Sequence, residues 1–436
     1  MNRVASHTIR VYASQSSPRL EYIVQQLFPG AIISTNRDIL AETDSVCINY
    51  SSAYIPGVLN IFPSKLLFEN GICEQNIACT AWEDGLKIFF QTAGDIPFDV
   101  FSAAFYLLSR YEEWLPYTPD EYGRYPHQTA LAYRSDFLRI PLIDCWLRQV
   151  NAMLKSLYPS YQPRQREFRF IPTYDVDETF AYLHKPLWKN IGGFFRDLLQ
   201  GKLTEVLERG NVYAGQQKDP YDTFQWLNAL HAQFGLQPVY FLLTLLEQGA
   251  YDKNLPVKKP VIQNLYKQLA DQYQTGLHPS WISGDKKNLL QQELQTAEQI
   301  TGNKITRSRN HYLRFTIPET YRRLLSAGII EDHSMAYGAV NGFRASTSYP
   351  FYWYDLEKEM QTPLLIRPFC FMEAAACFSE GLSAEQAGLE LQYFYDTVQQ
   401  VQGDCVILFH NHFLTEQPQW IAWREMYADF LRRNSG

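Results

Sequence analysis

The chain has no run of apolar residues approaching the roughly 18 that would cross a bilayer, and none follows the charges of its opening MNRVASHTIRVYAS. No membrane span and no secretory signal are therefore expected, and the cytoplasm is the expected location. No Lys/Arg cluster of the kind that tracks phosphates occurs, and the net charge is −7, so nucleic acid is not an expected partner. There is no CxxC pair either. Seven cysteines (47, 73, 79, 145, 370, 377 and 405) form an odd set in a chain too large to need staples, so they are expected mostly as small buried hydrophobes. Aromatic residues, by contrast, make up 15% of the sequence, which excludes a disordered chain and leaves room for ring stacking on sugars, although most rings serve cores. A length of 436 residues exceeds the roughly 250–300 at which one core stops growing, so two domains are expected.

The boundary falls in YPSYQPRQRE, residues 158–167, where Pro, Ser, Gln and charge separate two apolar regions. Residues 1–163 then form a smaller mixed α/β domain, with strand-like IRVYAS, AIIST, VCINY, LNIF and LKIFF and a helix-like RLEYIVQQLF. A further helical spacing runs from Phe98 to Trp114, and RYEEW within it is expected as a surface ion pair beside a buried ring. Residues 164–436 are more regular. Strand-like runs at 168–174, 238–244, 275–278, 304–310, 329–334, 364–371 and 405–410 are mostly separated by helical stretches. One of these has Asp219 as its predicted N-cap and Pro220 at its first position; another has a Ser383/Gln386 capping box. Such alternation predicts a parallel sheet with right-handed crossovers, closing as a barrel of about seven units.

Loops at the C-terminal ends of parallel strands build active sites, and here they carry chemistry. The first strand ends in Asp175-Val176-Asp177-Glu178. Later ones end in His278-Pro279-Ser280, Arg309-Asn310-His311-Tyr312, Asp332-His333-Ser334 and His410-Asn411-His412. Five of the nine histidines fall in these short segments, more than chance placement would give. Carboxylates with several imidazoles suit a divalent ion, zinc above all, with nickel, cobalt or manganese as alternatives. One carboxylate and two imidazoles would leave a position open for water, a second carboxylate could take that water's proton, and a histidine across the site could protonate a leaving group. The chemistry is hydrolysis of an ester or amide.

These motifs resemble those of the polysaccharide deacetylases of the NodB-homology type (carbohydrate esterase family 4). Thr173–Asp177 is similar to the first motif, Gly276-Leu277-His278 to the start of the second, and Arg309–Tyr312 to the third. Asp332-x-Ser334 is similar to the fourth and Ile407–His410 to the last. The N-terminal domain, with GLHPSW, SRNHYLRF and GFRASTSYPFYWYDLE, resembles a bacterial branch of these enzymes. The resemblance implies a distorted (β/α)7 barrel acting on a saccharide, with Asp175 as base, Arg309 orienting it, His410 as acid, and Asp177 and His278 as metal ligands. The second metal histidine of the family, four residues after the first, is here Ile282, which cannot bind metal. His311 is proposed as the replacement, with His412 next and loss of metal third.

Trp281, Tyr312, Asp332, Arg344 and Trp353 are candidate substrate-binding residues, Arg344 being equally suited to a structural ion pair, and the 349–354 aromatic run reading more readily as core than as a sugar-stacking platform. His333 reads as a plain loop residue, and His7, His127, His184 and His231 as surface or core residues. The excursion 181–219 reads as a helical insertion on the barrel's side rather than a lid. The sequence thus predicts a metal-dependent hydrolase removing N- or O-linked acetyl groups from a saccharide. The alternatives are a degenerate barrel that binds glycan or protein, or an amidohydrolase acting on a non-sugar C–N bond. The sugar and the oligomeric state are left open.

Overall fold

The computed structural model describes residues 8–41 and 45–434; His7 lies outside them. In the first half, β1 (Ile9–Ala13), β2 (Ile32–Ser34), β3 (Val46–Tyr50) and β4 (Leu59–Asn60) form a parallel sheet in the order β2-β1-β3-β4. α1 (Pro18–Leu27) starts on a proline, whose missing N–H is no loss in a first turn, and the Ser17 hydroxyl accepts the Leu20 N–H at 3.1 Å. The small hairpin β5 (Thr80–Ala81) and β6 (Lys87–Ile88), then α2 (Val100–Leu108), α3 (Leu131–Arg134) and α4 (Leu142–Leu157), complete this half. α2 is apolar all round and buried along its whole length.

The second half winds helices around one large sheet. Its strands are β7 (Arg169–Val176), β8 (Val239–Leu243), β9 (Gln274–His278), β10 (Arg307–Ser308), β11 (Glu331–Asp332), β12 (Phe351–Asp355), β13 (Met360–Ile366), β14 (Phe371–Met372) and β15 (Asp404–His410). The order is β12-β13-β11-β10-β9-β8-β7-β15-β14, parallel except for the β12–β13 hairpin. The helices are α5 (Leu187–Leu199) and α6 (Leu203–Tyr213) in the 181–219 excursion, then α7 (Phe224–Phe234), α8 (Pro260–Gln272), α9 (Lys287–Thr301), α10 (Glu319–Ala327), α11 (Ala384–Gln400) and α12 (Ile421–Asn434). The capping box on α11 forms between Ser383 and Gln386.

The predicted strand 364–371 is two strands towards opposite ends of the sheet. Pro368 interrupts the run, β13 pairs with β11, and β14 pairs with β15. Only residues 367–370 join them, so β13, one strand in from the β12 edge, and β14, at the other edge, stand no more than about 18 Å apart. Arg367 bridges this seam, donating to Glu331 Oε1 at 2.8 Å and to Asp404 Oδ2 at 2.9 Å. The sheet therefore curls like a barrel with eight parallel strands and an open seam, rather than closing through seven.

Three other expectations change. Asp219 caps no helix: α7 begins at Phe224, and the Asp219 carboxylate accepts the backbone N–H groups of Ala181, Tyr182, Leu183 and Tyr221, folding the start of the excursion. RYEEW is not on the surface. Arg110, Glu112 and Glu113 are buried, and Glu113 takes both arms of the Arg344 guanidinium at 2.9 and 2.6 Å, joining the two halves. Phe351, Trp353 and Tyr354 of the 349–354 run are core shared by both halves, while Tyr352 is exposed: Tyr354 packs on Tyr22 and Phe105, and Trp353 lies near Trp114 and Tyr321. At 1% exposure Trp353 meets no ligand, which removes it from the substrate-binding candidates.

Candidate metal centre

Side chains alternate along a strand, so Asp175 and Asp177 at the end of β7 point to the same side. Asp175 is buried and its Oδ1 accepts the Arg309 Nη1 at 2.9 Å. Arg309 has no exposure: its Nε donates to the His333 carbonyl at 3.0 Å and its guanidinium lies over the Phe241 ring. The neighbouring strand ends bring in the imidazoles. His278 Nε2 stands 3.0 Å from Asp177 Oδ1, and His311 Nε2 3.5 Å from Asp177 Oδ2. One ligand atom each from Asp177, His278 and His311 lie within 4.8 Å of one another.

Both histidines are oriented from behind. His278 Nδ1 sits 2.6 Å from the Arg309 carbonyl, which can only accept, so the proton is on Nδ1 and Nε2 is free. His311 Nδ1 contacts Asp252 Oδ1 at 2.9 Å, and the same oxygen accepts the Trp281 N–H. This backing through the distal nitrogen is the arrangement that fixes metal-ligating histidines. Asp177 Oδ1 and His278 Nε2 are buried and have no hydrogen-bond partner, although they face each other. These two orphaned ligand atoms, converging with the second imidazole, His311, fit a divalent cation. Burial alone would raise the Asp177 carboxyl, but His311 and His278 hold it well below the usual carboxylate range.

Ile282 opens a short turn, packs its side chain towards Gly249 and is not among the converging ligands. His410 enters from the other wall, its Nε2 3.5 Å from Asp177 Oδ2. Its Nδ1 and its backbone N–H both meet Glu373 Oε1, at 2.7 and 2.6 Å. Burial works to lower His410, but Glu373, with help from Asp177, raises it to about 10. His412 stands beside it and is pushed down to about 3, mainly by burial, which keeps it neutral; it is not among the converging ligand atoms.

The site opens into a cleft of about 790 Å³, within the range of ligand pockets. One wall comes from the first half. Asp120 organises a tight turn by accepting the N–H groups of Tyr122 and Arg124, and Arg124 donates across to the Tyr312 carbonyl at 2.9 Å. Tyr312 takes a left-handed conformation (φ 58°) directly after His311, so this contact holds the turn that carries a ligand. Tyr122 stacks on Tyr312, and both line the cleft with Tyr251 and His127.

Several predicted residues lie elsewhere. Trp281 is not among the cleft-lining residues; it sits flat behind Tyr251 with Arg314 over its ring. Asp332 accepts from Ser308 and Ser334 and ties β10 to β11, while burial pushes it up to about 6. Arg344 borders the cleft but is 1% exposed and spent on Glu113. His333 is buried against Glu331, so it is no plain loop residue. Sequence reasoning missed Asp252, Glu373 and Arg124. Their sequence neighbours carry no recognisable motif, and each acts on a partner 37 to 188 positions away.

Residues 9–159 match a family of unknown function, DUF7033. No curated protein matches the chain. Among solved structures, the chain is similar to a polysaccharide deacetylase from Bacillus cereus at 13% identity, covering 62% of this chain and 88% of that one, with a TM-score of 0.31. Proteins described as polysaccharide deacetylases from Mycobacterium smegmatis (12% identity, 63% and 87% coverage, TM-score 0.38) and Pseudomonas aeruginosa (11%, 61% and 84%, 0.39) are similar to the same degree. At these values no residue role is carried over from them.

Proposed function

We propose that this chain is a metal-dependent hydrolase that removes N- or O-linked acetyl groups from a saccharide. The observation behind it is the convergence of Asp177, His278 and His311 on one point, with Asp175 and His410 flanking it. A divalent ion held there, zinc by preference for this donor set, would polarise an acyl carbonyl and acidify water. Asp175, its Oδ1 engaged by Arg309, offers Oδ2 to the attacking water's proton. His410 keeps Nδ1 on Glu373 and presents Nε2 to the departing amine or alcohol, which needs a proton. The motif register read from the sequence supports the same assignment, and Tyr312, Tyr251 and Tyr122 are the rings placed to meet a sugar.

The test is acetate release from chito-oligosaccharides and from acetylated xylan. Asp175→Asn should lower it by about 10²–10⁴-fold while metal content is retained. Equal release by both proteins would overturn the mechanism.

The acid limb of the reaction depends on His410 keeping its proton. Because His410 is raised, its proton is held through neutral pH, and the alkaline limb of activity should appear where that proton is lost. Glu373→Gln removes the largest raising influence, so the alkaline limb of the rate profile should move to lower pH. An unmoved limb would assign the proton to another group.

A further inference from the structure

The α5–α6 hairpin is built with its polarity reversed. Its polar residues turn inwards: Arg209 donates to Asn190 Oδ1 at 3.0 Å and to Asp197 Oδ2 at 2.7 Å, and its guanidinium lies over the Tyr182 ring. Glu208 accepts from the Tyr182 hydroxyl and from Gln417, both at 2.7 Å. The apolar residues turn outwards. Nine of the twenty exposed large apolar or aromatic side chains among the described residues fall within 188–213, including Trp188 at 69%, Phe195 at 57%, Leu203 at 60% and Leu207 at 66%. The most exposed, Leu199 at 87%, sits at the tip where the two helices join, and the others run along both helices. Monomeric proteins rarely leave such a contiguous patch in water.

We propose that this hairpin docks the protein on an anionic lipid surface. The helices have 13 and 11 residues, about 20 and 16 Å long, too short to span a bilayer and suited to lying at its interface. Residues 184–213 carry five Lys/Arg against three Asp/Glu in a chain of net charge −7. Two of those three acids are turned inwards, Asp197 onto Arg209 and Arg196, and Glu208 onto Tyr182 and Gln417. Two of the cations are also taken up, Arg209 inside on Asp197 and Lys185 on Glu178, so the described charges left facing out are Lys202, exposed at the tip, and Arg196, two-thirds exposed and bonded to Asp197, against the half-buried Glu205. That charge complements anionic headgroups. A second copy of the chain would instead meet the same cationic edge across an isologous contact.

The hairpin follows β7, at the end of the sheet where the metal centre lies. Gln417 ties it beside the loop that brings Phe413 to the cleft. Docking is independent of the chemistry proposed above, because no hairpin residue touches the metal centre.

The test is co-sedimentation of the full chain with vesicles of phosphatidylcholine, with and without phosphatidylglycerol. The wild type should pellet with the anionic vesicles and be released by high salt. Leu199→Glu combined with Leu203→Glu should weaken binding by at least about tenfold, as expected for losing buried leucine side chains. Lys202→Glu should weaken it on anionic vesicles specifically, and metal content should be unchanged in every variant. Wild type remaining in the supernatant with both vesicle types overturns the proposal. If sedimentation velocity then shows a dimer that the leucine variants dissolve, the apolar tip is a contact between copies; if it shows a monomer, the tip docks on neither.

Discussion

Asp177→Ala protein is expected to leave purification essentially free of divalent metal, whereas the wild type carries about one ion per chain by elemental analysis. Asp177 is the only anion among the three converging ligands. His278 and His311 are already committed through Nδ1, one to the Arg309 carbonyl and one to Asp252, so neither can swing to compensate. Loss of a residue that merely backs a ligand costs about 10–100-fold in metal affinity, and loss of the carboxylate ligand itself should exceed the upper figure. The fold should survive, because Asp177 lies beyond the last strand residue and its side chain faces only imidazoles. Asp175→Asn, which leaves all three ligands in place, is the matched control. Wild-type protein that is folded and metal-free would remove the basis of the proposed hydrolysis.

The largest effect on stability is expected from Glu113→Ala. Glu113 receives two hydrogen bonds from Arg344 and one from Arg110, all three side chains being nearly inaccessible. Removing the carboxylate leaves the buried Arg344 guanidinium without its anion, while Arg110 keeps Glu112, a situation that costs about 3–5 kcal/mol. The midpoint of thermal unfolding should fall by roughly 3–5 °C for a chain of this length unfolding as one unit. Replacing Glu113 and Arg344 together with methionine should recover part of the loss, since the pair is worth less than the penalty for breaking it. Although burial opposes it, Arg344 and Arg110 hold Glu113 below its ordinary value of 4.5. Its contribution is therefore complete above that pH and disappears as the pH falls through the lower folded value. The difference between wild type and Glu113→Ala should shrink at strongly acid pH. An unchanged midpoint would mean that this network does not join the two halves.

Both outcomes bear on what was legible in the residues alone. Asp175, Asp177, His278, Arg309, His311 and His410 could be picked out because each sits just after a short apolar run, and a parallel sheet gathers all such positions at one end. His311 could be named as a substitute for the missing histidine because it follows the neighbouring strand. The partners that orient these groups could not be named. Glu373 reaches His410 from β14, a strand hidden inside a run that looked continuous until Pro368 divided it between two ends of the sheet. Asp252 lies in an unpatterned loop, and Arg124 belongs to the other half of the chain.

Residue type also misled where burial decides the role. Trp353 and Asp332 carry groups that bind sugars or acyl oxygens well, yet they are buried as core and as a tie between strands, and half-buried Trp281 backs a ring; Arg344 takes the structural ion pair that its residue type equally allowed. Local periodicity determined the strands, the helices and the end of the sheet where the chemistry gathers, since those follow from side-chain alternation and backbone geometry within a few residues. Tertiary structure alone decided which polar groups are desolvated, what satisfies them, and how the first half walls the cleft, because those depend on contacts between residues tens to hundreds of positions apart.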